Sequence, residues 1–168
     1  MKTTHIQIEF GESSAMPVRG PLTHIDLSVS DPDRALPFYG ALFEALGYER
    51  LDVPARDFQG PTPRRAAWQV RLDSGASFGI EVRPSSGPNR GRPNDRYAPG
   101  MHHMALHAES PNDVDHIHRA LVAAGATVLD APADYTAQRG YSPGYYAAFY
   151  ADPDGIKIEV AHIPESNP

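Results

Sequence analysis

The sequence predicts an α+β fold made of two tandem βαβββ modules, and three observations lead to this prediction. The chain repeats itself at a spacing of 78 to 79 residues. Each copy alternates apolar and polar residues as β-strands do, except for one segment whose apolar residues have helical spacing. A stretch rich in Pro, Gly and Asn separates the two copies. We expect the modules to form an open, curved mixed barrel around a central cavity.

The repeat is defined by residue types that recur in register. Three pairs lie at offsets of 79, 78 and 78 positions: His24 and His103, Gly47 and Gly125, Glu81 and Glu159. The deletion of one loop residue accounts for the difference in offset. Because three such matches are hard to obtain by chance, the two copies are predicted to share one structure.

The first module covers residues 21–83. It opens with THIDLSV, whose alternation predicts a strand with one apolar face. Ser30 suits the N-cap of the helix that follows, and Gly47 suits the end of that helix. Three short strands are then predicted at about 48–53, 66–72 and 78–83.

The second module covers residues 101–163 and has the same order of elements. Ser110 suits the N-cap of its helix, and Pro111 suits the first helical turn. The strands after this helix are predicted at 126–130, 145–150 and 156–162.

The remaining segments are not part of the modules. Residues 1–20 are predicted to form an extra strand and a loop, and residues 164–168 a tail. Residues 84–100 read as a linker, PSSGPNRGRPNDRYAPG, whose arginines are expected to be solvated.

Composition excludes several classes of function. The chain has no cysteine, which excludes disulfides, thiolate metal sites and cysteine nucleophiles. Its formal charge of −6 lacks the basic footprint of nucleic-acid-binding proteins. No apolar run is long enough to span a membrane, and MKTTHIQIEF lacks the apolar core of a signal peptide. We therefore expect a cytoplasmic protein that acts on a small-molecule substrate.

Strand alternation selects the residues that could perform chemistry. If the Ile and Val faces of the strands pack on the helices, one histidine and one glutamate per module project from the opposite face. These four residues are His24, Glu81, His103 and Glu159. If the two sheets present these faces to each other, the four side chains would form a site of N and O donors suited to a divalent metal.

Each candidate also has a plainer interpretation. A single histidine or glutamate on a strand is usually a half-exposed polar residue, and Glu81 could pair with Arg83. His102 lies on the face of Met104, so we expect it to pack near a helix. His107 shares the face of His103 and lies either in the cavity or at the surface.

The segment ADYTAQRGYSPGYYAAFY supplies five tyrosines, which could form an aromatic wall and a phenol donor. Among them we expect Tyr146 to face the cavity as a catalytic residue. Trp68 occupies the matching place in the first module and is either a substrate wall or core.

Three segments resemble the vicinal oxygen chelate superfamily: THIDLSVSDPDRALPFYGALFEALGYERL, GMHHMAL and YYAAFYADPDGIKIEVAH. That superfamily holds glyoxalase I, extradiol dioxygenases, fosfomycin resistance enzymes and bleomycin-binding proteins. The resemblance covers about residues 22–163 and is closest to the bacterial glyoxalase-like branch. It implies one divalent metal ion (Ni, Zn, Mn, Co or Fe(II)) held by the four residues named above.

The resemblance implies three alternative functions. The first is a metal-dependent isomerase or lyase that chelates vicinal oxygens, with Glu159 or Glu81 as the catalytic base. The second is an Fe(II) extradiol-type dioxygenase, for which two histidines and Glu159 suffice. The third is a metal-free protein that sequesters a ligand. Ser28 stands where glyoxalase I has an arginine for glutathione, which argues against that substrate. A homodimer is expected, and the ligands could come from one chain or two.

Overall fold

Two four-stranded sheets and two helices make up the protein, in the order that the repeat predicts. The structure, a computed structural model, describes residues 22–52, 65–72 and 74–164. The first module contains β1 (His24–Val29), α1 (Pro32–Ala45), β2 (Glu49–Leu51), β3 (Ala66–Arg71) and β4 (Ser77–Pro84). The second contains β5 (Met104–His107), α2 (Pro111–Ala123), β6 (Thr127–Asp134), β7 (Tyr146–Ala151) and β8 (Lys157–His162). The strand expected within residues 1–20 lies outside the described residues.

The two sheets have the same topology. Their strand orders are β1-β4-β3-β2 and β5-β8-β7-β6, and in each sheet the first and last strands of the module are parallel neighbours. The predicted α+β class with two tandem modules is confirmed, and the sheets are open rather than closed into barrels. Neither helix in the described part of the chain has the length and apolar character needed to cross a membrane.

One hydrophobic core joins the modules. It contains Leu27 and Ile80 from the first sheet, Leu106 and Ile158 from the second, and the apolar stripes of both helices. Trp68 is fully buried in this core, which favours the interpretation of Trp68 as a core residue. We call the side of each sheet away from the core its outer face. His24, Asp26, Glu81 and Arg83 lie on the first outer face, and His103, Ala105, Phe149 and Glu159 on the second.

The start of α1 differs from the prediction. Asp31, not Ser30, is the N-cap, and its side chain accepts the Asp33 N–H at 3.0 Å. Pro32 takes the first helical position, so the cap falls on the residue directly before it. Ser30 instead binds Asp154 of the second module through its N–H, at 2.7 Å, and through its hydroxyl. Ser110 caps α2 as predicted.

A buried joint ties α1 to the turn that precedes β8. The Tyr39 hydroxyl donates to Asp152 at 2.9 Å, and Asp152 also accepts the N–H groups of Asp154 at 2.9 Å and Ile156 at 2.7 Å. Burial raises the pKa of the Asp152 carboxyl. These hydrogen bonds lower the pKa, but the effect of burial is larger, so the pKa is raised overall. The joint therefore fixes the start of the strand that carries Glu159 against the first module.

Candidate functional site

The second outer face brings His103 and Glu159 into contact. Ala105 pairs with Glu159 across β5 and β8, and His103 lies two residues before Ala105, on the same side of the sheet. His103 Nε2 is 3.3 Å from Glu159 Oε2. The Glu159 side chain is only 6% exposed, whereas that of His103 is 37% exposed. A nearly buried carboxylate thus meets an imidazole that solvent can reach.

Tyr145 occupies the other oxygen of the same carboxylate. Its hydroxyl donates to Glu159 Oε1. Burial raises the pKa of Tyr145 well above its ordinary value, and the hydrogen bond and the charge of Glu159 raise it further. The phenol is therefore protonated at neutral pH and acts as a donor to Glu159. Sequence reasoning did not select this residue.

Tyr146, which we expected to face the cavity, lies on the other side of the sheet. Its hydroxyl donates to Asp115 of α2 at 3.0 Å, and its ring packs on the shared core. The prediction was wrong because neighbouring residues of a strand point to opposite sides of the sheet, and Tyr146 lies on the core side. Phe149 pairs with Glu159, so odd-numbered residues of β7 share the outer face. That pairing is a contact between strands, and the sequence of one strand does not reveal it.

An aromatic group covers the second outer face beside Glu159. Its members pack over two small residues, Ala147 and Ala161, with ring centroids 4.7 to 5.5 Å apart. They are Tyr135, Tyr141, Tyr145 and Phe149. The Lys157 ammonium lies 4.0 Å from the centroid of the Phe149 ring. The carboxylate therefore borders an apolar wall with a cation at its edge.

The position of Tyr145 depends on Gly144. This glycine has φ +77°, and a Cβ there would lie 2.6 Å from Cγ of Pro164. We expect Gly144→Ala to lower the free energy of unfolding by about 1–2 kcal/mol through the left-handed backbone alone. Displacement of Pro164 adds to this loss and shifts the Tyr145 ring.

Gly140→Ala is the matched control for that substitution. Gly140 has φ +100°, but no described atom lies within 4 Å of its added Cβ. Urea unfolding should therefore show the larger loss for Gly144→Ala, and the NMR signals of the Tyr145 ring should move only in that variant. Equal losses would mean that Pro164 moves away freely.

The first outer face is built differently. Glu81 Oε1 accepts two hydrogen bonds from Arg83, at 3.0 and 3.2 Å, and one from Arg65 at 3.4 Å. Arg83 also lies 3.5 Å from Asp26 on the neighbouring strand. His24 is exposed on this face, with Nδ1 3.1 Å from the Thr23 hydroxyl. Glu81 thus has two guanidinium partners, which compete with any metal for its oxygens.

Of the four predicted ligands, His103 and Glu159 contact each other, whereas His24 contacts Thr23 and Glu81 contacts two arginines. Among the described residues, no group of three or more His, Cys, Asp or Glu side chains could hold a metal ion within one chain. The physical reason lies in the shared core. Both sheets turn their apolar sides toward it, so the two outer faces point away from it. We expected the faces to meet within one chain, and the described residues do not show this.

The two other histidines near His103, which are His102 and His107, are exposed. We expected His102 to pack near a helix, and this prediction was wrong. Its Nδ1 lies 2.8 Å from His103 Nδ1, and its ring lies 5.9 Å from that of Tyr97. It lies two residues before the start of β5, one residue further from the strand than His103. His107 lies at the far end of β5, with its ring 6.4 Å from that of His162.

Comparisons with known proteins agree with this architecture. The sequence model of the Glyoxalase/Bleomycin resistance protein/Dioxygenase superfamily matches residues 22–160. The uncharacterised protein YqjT of Bacillus subtilis is 29% identical over 139 residues, which are 82% of this chain and 94% of YqjT.

Solved structures show the same fold at lower identity. A Bacillus halodurans protein provisionally called a glyoxalase has a TM-score of 0.64 and 22% identity, over 86% of this chain and 97% of that one. A glyoxalase/dioxygenase from Nostoc punctiforme has a TM-score of 0.56 and 22% identity, over 90% and 100%. The match of the sequence model over most of the chain identifies the family. The protein belongs to the Glyoxalase/Bleomycin resistance protein/Dioxygenase superfamily.

Proposed function

We propose that this protein is a metal-dependent isomerase or lyase that transfers a proton on a small molecule with two adjacent oxygens. The contact between His103 and Glu159 carries the proposal. Their donor atoms are 3.3 Å apart. Two ligands that each lie about 2.1 Å from one ion are separated by about this distance. When bound, a divalent metal would polarise the substrate oxygens as a Lewis acid.

A second copy of the chain would supply the other ligands. Because the two outer faces point away from the shared core, the first outer face of one chain is free to meet the second outer face of another. A two-fold axis would then create two equivalent sites, each with His103 and Glu159 from one chain and His24 from its partner. This arrangement agrees with the lack of a three-residue group within the described part of one chain.

The chain's own residues provide the proton chemistry. Glu159 is the base, and it would take a proton from the carbon beside the oxygen and return it to a neighbouring carbon. The Tyr145 hydroxyl orients this carboxylate. The aromatic group excludes water from one side of it. If His103 keeps its Nε2 lone pair for a metal, its Nδ1–H donates to His102, which fixes the tautomer.

Mixing two defective variants tests both the metal and the shared site. His24→Ala and Glu159→Gln should each bind no metal alone. In a mixed sample refolded from equal amounts, half of the dimers contain both variants, and one of their two sites is intact. We expect elemental analysis to give about a quarter of the wild-type metal content. No recovery on mixing would place all ligands in one chain. Full metal content in either variant alone would contradict the ligand assignment.

The same three-ligand set also suits a second candidate, an Fe(II) extradiol-type dioxygenase. With Glu81 held by Arg65 and Arg83, the ligand set reduces to two histidines and one carboxylate. That set leaves positions open for oxygen and a catechol. Oxygen uptake by the Fe(II)-loaded protein with a catechol would support this candidate over the first.

A further inference from the structure

We propose that the junction between the modules binds a small oxyanion, a carboxylate or phosphate group, in a cleft built by the linker. The cleft has a volume of about 380 Å³ and lies where β1 and β4 end. Its walls include Ser28, Ser30, Arg90, Arg92, Asn94 and Asp154. None of the four predicted metal ligands lines it, so the site does not depend on the proposed function.

The donors in this cleft have unused capacity. The guanidinium groups of Arg90 and Arg92 make no ion pair or side-chain hydrogen bond with any of the described residues. The side-chain nitrogen of Asn94 is buried and has no partner in the same part of the chain. Because this nitrogen is shielded from solvent, the exposed guanidinium groups of Arg90 and Arg92 are the donors that a bound group can reach.

The two carboxylates in the cleft, by contrast, already accept hydrogen bonds from within the chain. Both carboxylate oxygens of Asp154 accept from Ser30. Asp95 accepts the Tyr97 N–H at 3.0 Å. The two guanidinium groups suit the planar oxygens of a carboxylate or the oxygens of a phosphate. Because two carboxylates offset the charge of the two arginines, a single carboxylate or phosphate group fits better than a polyphosphate.

Hydrogen bonds hold the linker in this shape. The Ser85 N–H donates to the Val29 carbonyl and its hydroxyl to the Arg90 carbonyl, both at 2.8 Å. The Asn94 N–H donates to the Asp154 carbonyl at 2.8 Å. The linker is thus tied to β1 and to the turn before β8. The sequence predicts solvated arginines. Arg90 and Arg92 are exposed and share the wall of one cleft, whereas Arg96 is half-buried.

An NMR titration of the full chain with inorganic phosphate, at constant ionic strength, tests the proposal. In the wild type we expect saturable shifts of the backbone amides of Ser85, Arg92 and Asn94. Arg92→Gln should weaken binding about tenfold, as expected when one charge-assisted hydrogen-bonding group is lost. Arg96→Gln is the matched control, because Arg96 lies in the same linker but contacts the Tyr97 ring and does not line the cleft. It should leave the affinity unchanged.

Three outcomes would overturn the proposal. One is equal weakening by Arg92→Gln and Arg96→Gln, which would indicate a general effect of charge. Another is a set of shifts centred on Arg65 and Arg83, which would place the anion on the first outer face. The third is a linear response without saturation. The spectrum of each variant without phosphate shows directly whether it keeps the native fold.

Discussion

Glu159→Gln is expected to remove the bound metal and the activity together. The substitution keeps the size of the side chain and an oxygen for the Tyr145 hydroxyl. It removes the negative charge, and a neutral amide is a weak ligand for a divalent ion compared with a carboxylate. It also removes the proposed base. In protein purified without chelator, metal content should fall from about one equivalent per chain to near zero.

Two further variants test whether the loss of metal is specific to the proposed site. His103→Ala should lose the metal to the same extent, since His103 Nε2 lies 3.3 Å from the same carboxylate. Glu109→Gln, at an exposed position in the same module, should keep it. Wild-type metal content in Glu159→Gln would refute the assignment. A wild type that takes up no metal at all would favour the metal-free binding protein instead.

The repeat was sufficient to predict the fold and the placement of one histidine and one glutamate on the same side of each sheet. His24 is paired with Gly79, and Glu81 lies two residues further along β4. His103 and Glu159 have the same diagonal relation in the second sheet. Local alternation defines which side of a strand a residue occupies, and a repeat copies that relation. These predictions therefore needed no knowledge of how the modules pack.

The predictions that failed depended on contacts between distant segments. Tyr145 and Tyr146 are adjacent in the sequence, and only the pairing of β7 with β8 decides which one reaches Glu159. The local sequence makes Ser30 a reasonable N-cap. In the structure, however, Ser30 binds Asp154, which is 124 residues away in the sequence. The prediction that four ligands form one site depended on which faces of the two sheets the shared core covers. Periodicity indicates that a face is polar but not what it meets.

The joint between the modules leads to the second large effect, on stability. Asp152→Ala should lower the free energy of unfolding by about 3–5 kcal/mol, because it leaves three hydrogen-bond donors without an acceptor in a buried place. For a chain of this size the melting temperature should fall by roughly 10 °C. Tyr39→Phe removes one donor and keeps the turn intact, so we expect a smaller loss of about 1 kcal/mol.

Asp152→Asn separates the geometry of the joint from its charge. Asparagine keeps an oxygen for the N–H groups of Asp154 and Ile156 but cannot ionise. Since burial raises the pKa of Asp152 in the folded state, its stabilising contribution is present below the unfolded value of about 3.9 and is lost as pH rises through the folded value. The stability of Asp152→Asn relative to the wild type should therefore increase from about pH 4 upward. A difference that is constant with pH would show that the buried carboxyl titrates as it does in the unfolded chain. The joint would then act through its hydrogen bonds alone, and Asp152→Ala would still be the most damaging of the three substitutions.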